Sequence, residues 1–243
     1  SYSVTGVQTC ALPISNIPEN KKEKRIFDIV NQLNYGISFL SENNFESSSL
    51  AKLNYQAGLK AKLSSAYEPA YKYLKIAETL LPANSWTKNY PLSLEIYNEL
   101  TEISYLNGEY KKTEEYEQII KKNASDILDV AKASFSLLNS LRAQAKYEEA
   151  VFKGIEIARQ LGINIPDVSK FQLALNLIKT NISTGKPIDK LMGLPLMSND
   201  RIKSAIRVLD AIGNSAFNSN PQLLAIMVFY AVRLAIKYGY TES

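Results

Sequence analysis

The segment Gly58–Pro82, GLKAKLSSAYEPAYKYLKIAETLLP, decides the fold of this chain. Small residues recur in it at Gly58, Ala70 and Ala77, with Leu74 between the last two. This spacing predicts a helical hairpin whose small residues lie where two antiparallel helices approach most closely. Pro82 predicts the end of the second helix, because proline cannot continue it. A single hairpin cannot bury its apolar stripe alone, so the segment predicts an array of stacked hairpins.

Apolar residues recur at three- and four-residue steps through most of the chain, which predicts helices, and no segment of useful length alternates as a strand would. Aligning Ala70, Thr113 and Ala150 gives a loose repeat with steps of 43 and 37 residues. We therefore expect an all-α fold, a right-handed superhelical array of antiparallel helix hairpins. The predicted helices are one from Arg25 to Leu40, then Ser48–Lys62, Ser65–Leu81, Tyr90–Asn107, Tyr110–Lys122, Asp126–Arg142, Tyr147–Leu161 and Phe171–Ser183, followed after a loop-rich stretch, Gly185–Leu196, by two long helices.

Local signals mark several helix ends. Ser65 and Glu68 form a capping-box pattern at the start of the second helix of the hairpin. Gly108 predicts a tight turn, and Asn220 followed by Pro221 predicts the start of the last helix.

Composition excludes several classes of function. The 243 residues are 46% hydrophobic and carry a formal net charge of +4, which is too balanced to indicate a nucleic-acid partner. The chain has no histidine and one cysteine, which removes histidine bases, phosphoacceptor histidines, thiolate metal sites and disulfides. The longest apolar run, Leu223–Val232, is shorter than the about 20 residues that cross a bilayer, so no membrane insertion is expected. These features favour a cytoplasmic protein.

Two short patterns resemble functional motifs. Gly185 and Lys186 lack the leading glycine of a phosphate loop, and Pro187 replaces its hydroxyl, so no cofactor site is predicted. Glu114, Glu115 and Glu117 are one to three residues apart on a helix and are interpreted as a solvated face.

The first residues differ in character from the rest. Residues 4–14, VTGVQTCALPI, resemble a translated sequencing adapter, so residues 1–15, with Cys10, are interpreted as a disordered, non-native leader. Residues 16–24 would be a linker, 25–166 the repeats, and 167–243 further helices that continue the array.

The first helix of each hairpin would line the concave surface of such an array. Polar and aromatic residues there, facing away from the partner helix, suit recognition of a protein or peptide. These candidate partner-binding residues are Lys52, Tyr55, Lys62, Asn98, Tyr105, Asn139 and Arg142. No catalytic and no metal-ligating residue is predicted.

The hairpin register of Gly58, Ala70, Leu74, Ala77 and Pro82 resembles the tetratricopeptide repeat. Longer strings resemble the helical-repeat region of very large signalling proteins known as trifunctional serine/threonine kinase, ATP-binding protein and sensor histidine kinase. The strings are IFDIVNQLN (Ile26–Asn34), LAKLNYQAGLKAKLSSAYEPAYKYL (Leu50–Leu74), EISYLNGEY (Glu102–Tyr110) and ARQLGINIP (Ala158–Pro166).

The resemblance implies a fragment of such a kinase, a regulatory module between an ATPase and a sensor with a histidine kinase. Its partners would be the flanking domains or a protein or peptide. The family's kinase and ATP-binding activities have no residues here to carry them, so the fragment itself is expected to be non-catalytic and ATP to belong to the parent protein. The alternative is the effector-sensing helical arm of an ATPase-type transcription activator. The register departs from the repeat pattern at Thr113 and Glu117.

Overall fold

The computed structural model of the protein describes residues 25–37, 45–185 and 193–241. The predicted leader 1–15, the linker 16–24, Leu40, Lys186 and Pro187 lie outside these ranges. Within them no β-strand forms, and extended backbone pairs only in an isolated bridge between Leu196 and Tyr240. The all-α prediction is therefore confirmed, while the right-handed superhelix stays a prediction.

The helices of the described residues fall into two compact units, Ser1–Asn123 and Ala124–Ser243. The first unit contains α1 (Ile26–Asn34), α2 (Phe45–Leu63), α3 (Tyr67–Thr79), α4 (Ser85–Lys88), α5 (Tyr90–Leu106) and α6 (Tyr110–Asn123). The second contains α7 (Ile127–Ala143), α8 (Tyr147–Gln160), α9 (Lys170–Thr184), α10 (Asp200–Ala211), α11 (Gly213–Ser219) and α12 (Pro221–Tyr238).

Consecutive helices of the first unit pack against each other. α2 pairs with α3 and α5 with α6, while α3 also packs against α5. At the contact of α2 and α3, a Cβ on Gly58 would lie 2.6 Å from Cγ of Leu74 and 3.4 Å from the backbone oxygen of Ala70. Only glycine fits this approach, as the hairpin spacing predicts. Leu74, Leu100 and related residues form the core of this unit.

Three hairpins share one turn geometry. The second of three linking residues is left-handed, with φ of 56° at Ser65, 75° at Gly108 and 57° at Ala145. Each of these amides donates to the carbonyl three residues back, and the next amide donates to the carbonyl five residues back. The capping box at Ser65 is wrong, because Ser65 belongs to this turn and α3 has no side-chain cap.

The residues that follow each turn occupy equivalent buried positions. Ala70, Thr113 and Ala150 are all fully buried near the start of the second helix. Glu117 is also buried, so its prediction as part of a solvated face with Glu114 and Glu115 is wrong, although those two are exposed. The register of the second hairpin is thus retained despite its polar residues.

The second unit contains the α7–α8 hairpin together with the helices that follow Pro166. The reason is packing: the α7–α8 hairpin contacts α10 and α11, and the Cβ position of Gly154 on α8 is blocked by Ile212, 2.5 Å away. α9 does not pair with its neighbour α10 but with α12. Beyond Pro166 the pairing of α9 with α12 joins helices that are not consecutive, and the continuation of the array over residues 167–243 stays a prediction.

The last helix begins and ends as predicted. The Asn220 side chain accepts from the Leu223 amide, Pro221 is the first residue, and Gly239 ends the helix with a φ of 105°. The expectation of two long closing helices is wrong, because three helices form: α10 ends at Ala211, and Ile212 separates it from α11.

Candidate functional site

A polar contact joins α2 to α5 in the first unit. The Lys62 ammonium forms ion pairs with both Glu99 and Glu102, the second at 2.9 Å. The side chains of Lys62 and Glu99 are 17% and 13% exposed. Burial lowers the pKa of Lys62, but hydrogen bonds and charge from the two carboxylates outweigh it and raise the pKa above its usual value. Lys62 therefore stays charged in this contact.

Tyr55 lies on the same helix as Lys62 and meets the same acidic row. Its hydroxyl donates to Glu95, and it is half-buried. Burial, then the charges of Glu95 and Glu99, raise the pKa of Tyr55 to about 12. The phenol therefore acts as a neutral hydrogen-bond donor at physiological pH.

Asn98 lies within this row on α5, three residues after Glu95 and four before Glu102. It is only 6% exposed, so its expected position on an exposed surface is wrong. Its amide nitrogen and oxygen find no hydrogen-bond partner among the described residues. Asn98 is thus a polar group held within the fold rather than a surface contact.

The other candidate residues are placed less closely. Lys52 on α2 is exposed and Tyr105 on α5 is half-buried. Asn139 and Arg142 are half-buried on α7 of the second unit. The structure therefore brings Tyr55 and Lys62 together on one acidic row, and we call these residues the α2–α5 face: Tyr55, Lys62, Glu95, Glu99 and Glu102.

The sequence analysis missed the acidic half of this face. Glu95, Glu99 and Glu102 recur at steps of four and three, which places them on one side of a helix. The matching spacing of Tyr55 and Lys62 on α2 could have indicated their pairing. Only the packing of α2 against α5 brings the two rows into contact.

A second polar cluster, on α3, α4, α5 and α6, is aromatic. The Tyr97 ring stacks on Trp86 with centroids 5.2 Å apart and lies 6.1 Å from the ring of Tyr116. Burial and then the charge and hydrogen bond of Glu78 raise the pKa of Tyr97 to about 12. Burial and then a hydrogen bond with Tyr71 raise the pKa of Tyr116. These phenols remain neutral and join the helices.

The charged side chains of these clusters do not form a metal centre. In the part of the chain that the structure describes, no group of three or more histidine, cysteine, aspartate or glutamate residues is arranged to hold a metal ion. Within the α2–α5 face, Lys62 occupies the space between Glu99 and Glu102. The arrangement can bind a polar or charged partner group by hydrogen bonds and ion pairs.

The second unit has an apolar groove of about 620 Å³. Leu224, Met227 and Val228 of α12 form one side, and Arg207 and Asp210 of α10 contribute charge. The groove has the size of a ligand pocket, but its charged groups do not form a convergent set.

α12 is also, by length and composition, apolar enough to cross a membrane. Among residues 25–37, 45–185 and 193–241 it is the one helix that meets this criterion, and a helix from the core of a soluble protein can meet it too. α12 packs against α9, α10 and α11.

No protein-family model matches the chain, and no solved structure matches it. The chain is distantly similar to a protein of signal transduction. That relative is the hybrid signal transduction histidine kinase G of Dictyostelium discoideum, with 25% identity over 186 residues. The similarity covers 69% of this chain but 5% of the kinase, so the chain spans a small part of the relative's length. The distant similarity indicates a signal-transduction fragment.

Proposed function

We propose that this chain is a tetratricopeptide-like interaction module of a large signalling kinase. It would lie between an ATPase domain and a sensor with a histidine kinase output, and would regulate that output without catalysis of its own. Its partners would be the flanking domains or a protein or peptide bound at the α2–α5 face.

The observation that carries this proposal is the repetition of one hairpin. Three helix pairs share the same left-handed turn and the same two backbone hydrogen bonds, although they hold Ser65, Gly108 and Ala145 at the left-handed position. A buried residue follows the left-handed residue after five positions in each hairpin: Ala70, Thr113 and Ala150. A structural unit repeated in this way is typical of arrays that bind partners by their surface.

The similarity to a histidine kinase supports the signalling context. It favours a kinase as the parent over the second candidate, an effector-sensing arm of a transcription activator. The coding sequence beyond Ser243 separates the two, since a DNA-binding helix-turn-helix there would support the activator.

The α2–α5 face supports binding through its chemistry. Glu95, Glu99 and Glu102 provide three carboxylates, and Lys62 neutralises part of their charge. Tyr55 adds a half-buried phenol. A partner segment with basic or hydrogen-bonding groups is complementary to this row.

The test uses the intact polypeptide that the gene encodes. We expect Glu95→Lys with Tyr55→Ser to change the autophosphorylation rate of the parent and to weaken binding of the isolated flanking domains to this module, because it reverses an exposed carboxylate of the acidic row. Glu68→Lys, at an exposed glutamate of α3, is the matched control and should change neither. Wild-type behaviour of the double variant in both assays would refute the proposed role of this face.

A further inference from the structure

α9 buries polar residues and exposes apolar ones. Its buried residues are polar, Asn176 and Thr180. Several of its exposed residues are large and apolar, with Phe171, Ile178 and Ile182 exposed by 72%, 57% and 75%. The steps of seven and four between these three place them on one side of the helix. An apolar side turned to solvent along a whole helix indicates a surface that another molecule covers.

Arg233 of α12 fixes this orientation. Its guanidinium donates to the Thr180 hydroxyl at 2.9 Å, to the Asn176 side-chain oxygen at 2.8 Å and to the Asn176 backbone oxygen at 3.2 Å. It also lies 4.5 Å from the ring centroid of Tyr230. Rotating α9 to bury its apolar side would break these hydrogen bonds and leave a half-buried cation unpaired. The apolar side therefore faces outward for a specific structural reason.

The charges carried by α9 and by the facing helix α12 are all positive. Lys170 and Lys179 border it and are exposed, and α9 carries no aspartate or glutamate. The facing helix α12 also lacks acidic residues and adds Arg233 and Lys237. A partner that covers the apolar residues and carries carboxylates at its edges is complementary to this pattern.

Ala174 gives the surface its shape. It is exposed and lies between Phe171 and Ile178, so a small residue separates two large ones. Such a notch accepts a side-chain ridge of another helix. Two lysines attract an anionic lipid surface only weakly, and two copies of α9 would bring lysines against lysines.

We propose that the α9 face, made of Phe171, Ala174, Ile178 and Ile182 and bordered by Lys170 and Lys179, docks an amphipathic helix of a partner protein. The apolar stripe of that helix is flanked by aspartate or glutamate. This surface is separate from the α2–α5 face and does not depend on the proposed function.

The test measures binding of the full chain to two labelled helical peptides by fluorescence anisotropy. Both are about four turns long with the same leucine stripe, and one is flanked by glutamates and the other by lysines. We expect the glutamate peptide to bind about tenfold or more tightly than the lysine peptide. Ile178→Ser with Ile182→Ser should remove this binding, and Lys170→Glu with Lys179→Glu should reverse the preference.

Leu63→Ser is the matched control, because Leu63 is an equally exposed apolar residue at the end of α2. Circular dichroism checks that each variant stays folded. Equal binding of the two peptides, or binding that survives the isoleucine changes, would overturn the proposal. Two other results would also overturn it, if the same isoleucine changes abolish them. One is self-association of the chain in sedimentation experiments, and the other is cosedimentation with phosphatidylserine vesicles in preference to binding of the peptide.

Discussion

Lys62→Ala is expected to lower the free energy of unfolding by about 2 kcal/mol. Loss of one partner costs at most about 1 kcal/mol in an exposed ion pair and about 3–5 kcal/mol in a fully buried one. The side chains of Lys62 and Glu99, exposed by 17% and 13%, place the contact between these limits, and the 45% exposure of Glu102 keeps the expected loss below that of a fully buried pair. The change also leaves Glu99 and Glu102 without a counter-charge, three residues apart on α5.

Urea unfolding at neutral pH, followed by circular dichroism, measures this loss. A double-mutant cycle of Lys62→Ala with Glu99→Gln should give a coupling of about 1 kcal/mol or more. Lys72→Ala is the control, because Lys72 pairs with Glu68 at 3.5 Å with both side chains about 70% exposed, and it should cost about 0.5 kcal/mol or less. Equal losses for Lys62→Ala and Lys72→Ala would refute the reasoning.

Three further predictions concern stability. Gly58→Ala places a Cβ 2.6 Å from Cγ of fully buried Leu74, so it should cost about 1–2 kcal/mol in urea unfolding, and less in a Leu74→Ala background. The raised pKa of Tyr55, about 12, means that the unfolded chain loses this proton first. Stability should therefore fall as pH rises from about 10 to about 12, with a smaller fall in Tyr55→Phe, as alkaline unfolding curves would show. Gly239→Ala combines a φ of 105° with a Cβ 2.2 Å from the backbone oxygen of Pro195, and should cost about 2 kcal/mol or more in thermal or urea unfolding. No loss for Gly58→Ala or Gly239→Ala, or an unchanged alkaline slope in Tyr55→Phe, would contradict the corresponding contact.

The features that depend on local sequence were predictable. The 3.6-residue period of apolar residues predicted the helices. Asn220 and Pro221 predicted the start of α12, which begins and ends as expected. The contact of Gly58 with Leu74 followed from their spacing, because a three-residue turn leaves few ways to pair α2 with α3.

The features that depend on distant contacts were not predictable. The polarity of Glu117 predicts an exposed side chain, yet tertiary packing buries it. The acidic row on α5 becomes part of an ion-pair network only because α2 packs Lys62 against it. The orientation of α9 is decided by Arg233, which is 57 residues from Asn176 in the sequence.

The shared hairpin turn tolerates substitutions better than insertions or deletions. Serine, glycine and alanine all occupy its left-handed position, at Ser65, Gly108 and Ala145, while the two hydrogen bonds stay the same. The shape of the turn is therefore set by backbone pairing rather than by the identity of one residue. An inserted or deleted residue would shift both donors off their carbonyls and rotate the second helix by about 100°. At these turns the number of residues is more strictly constrained than their kind.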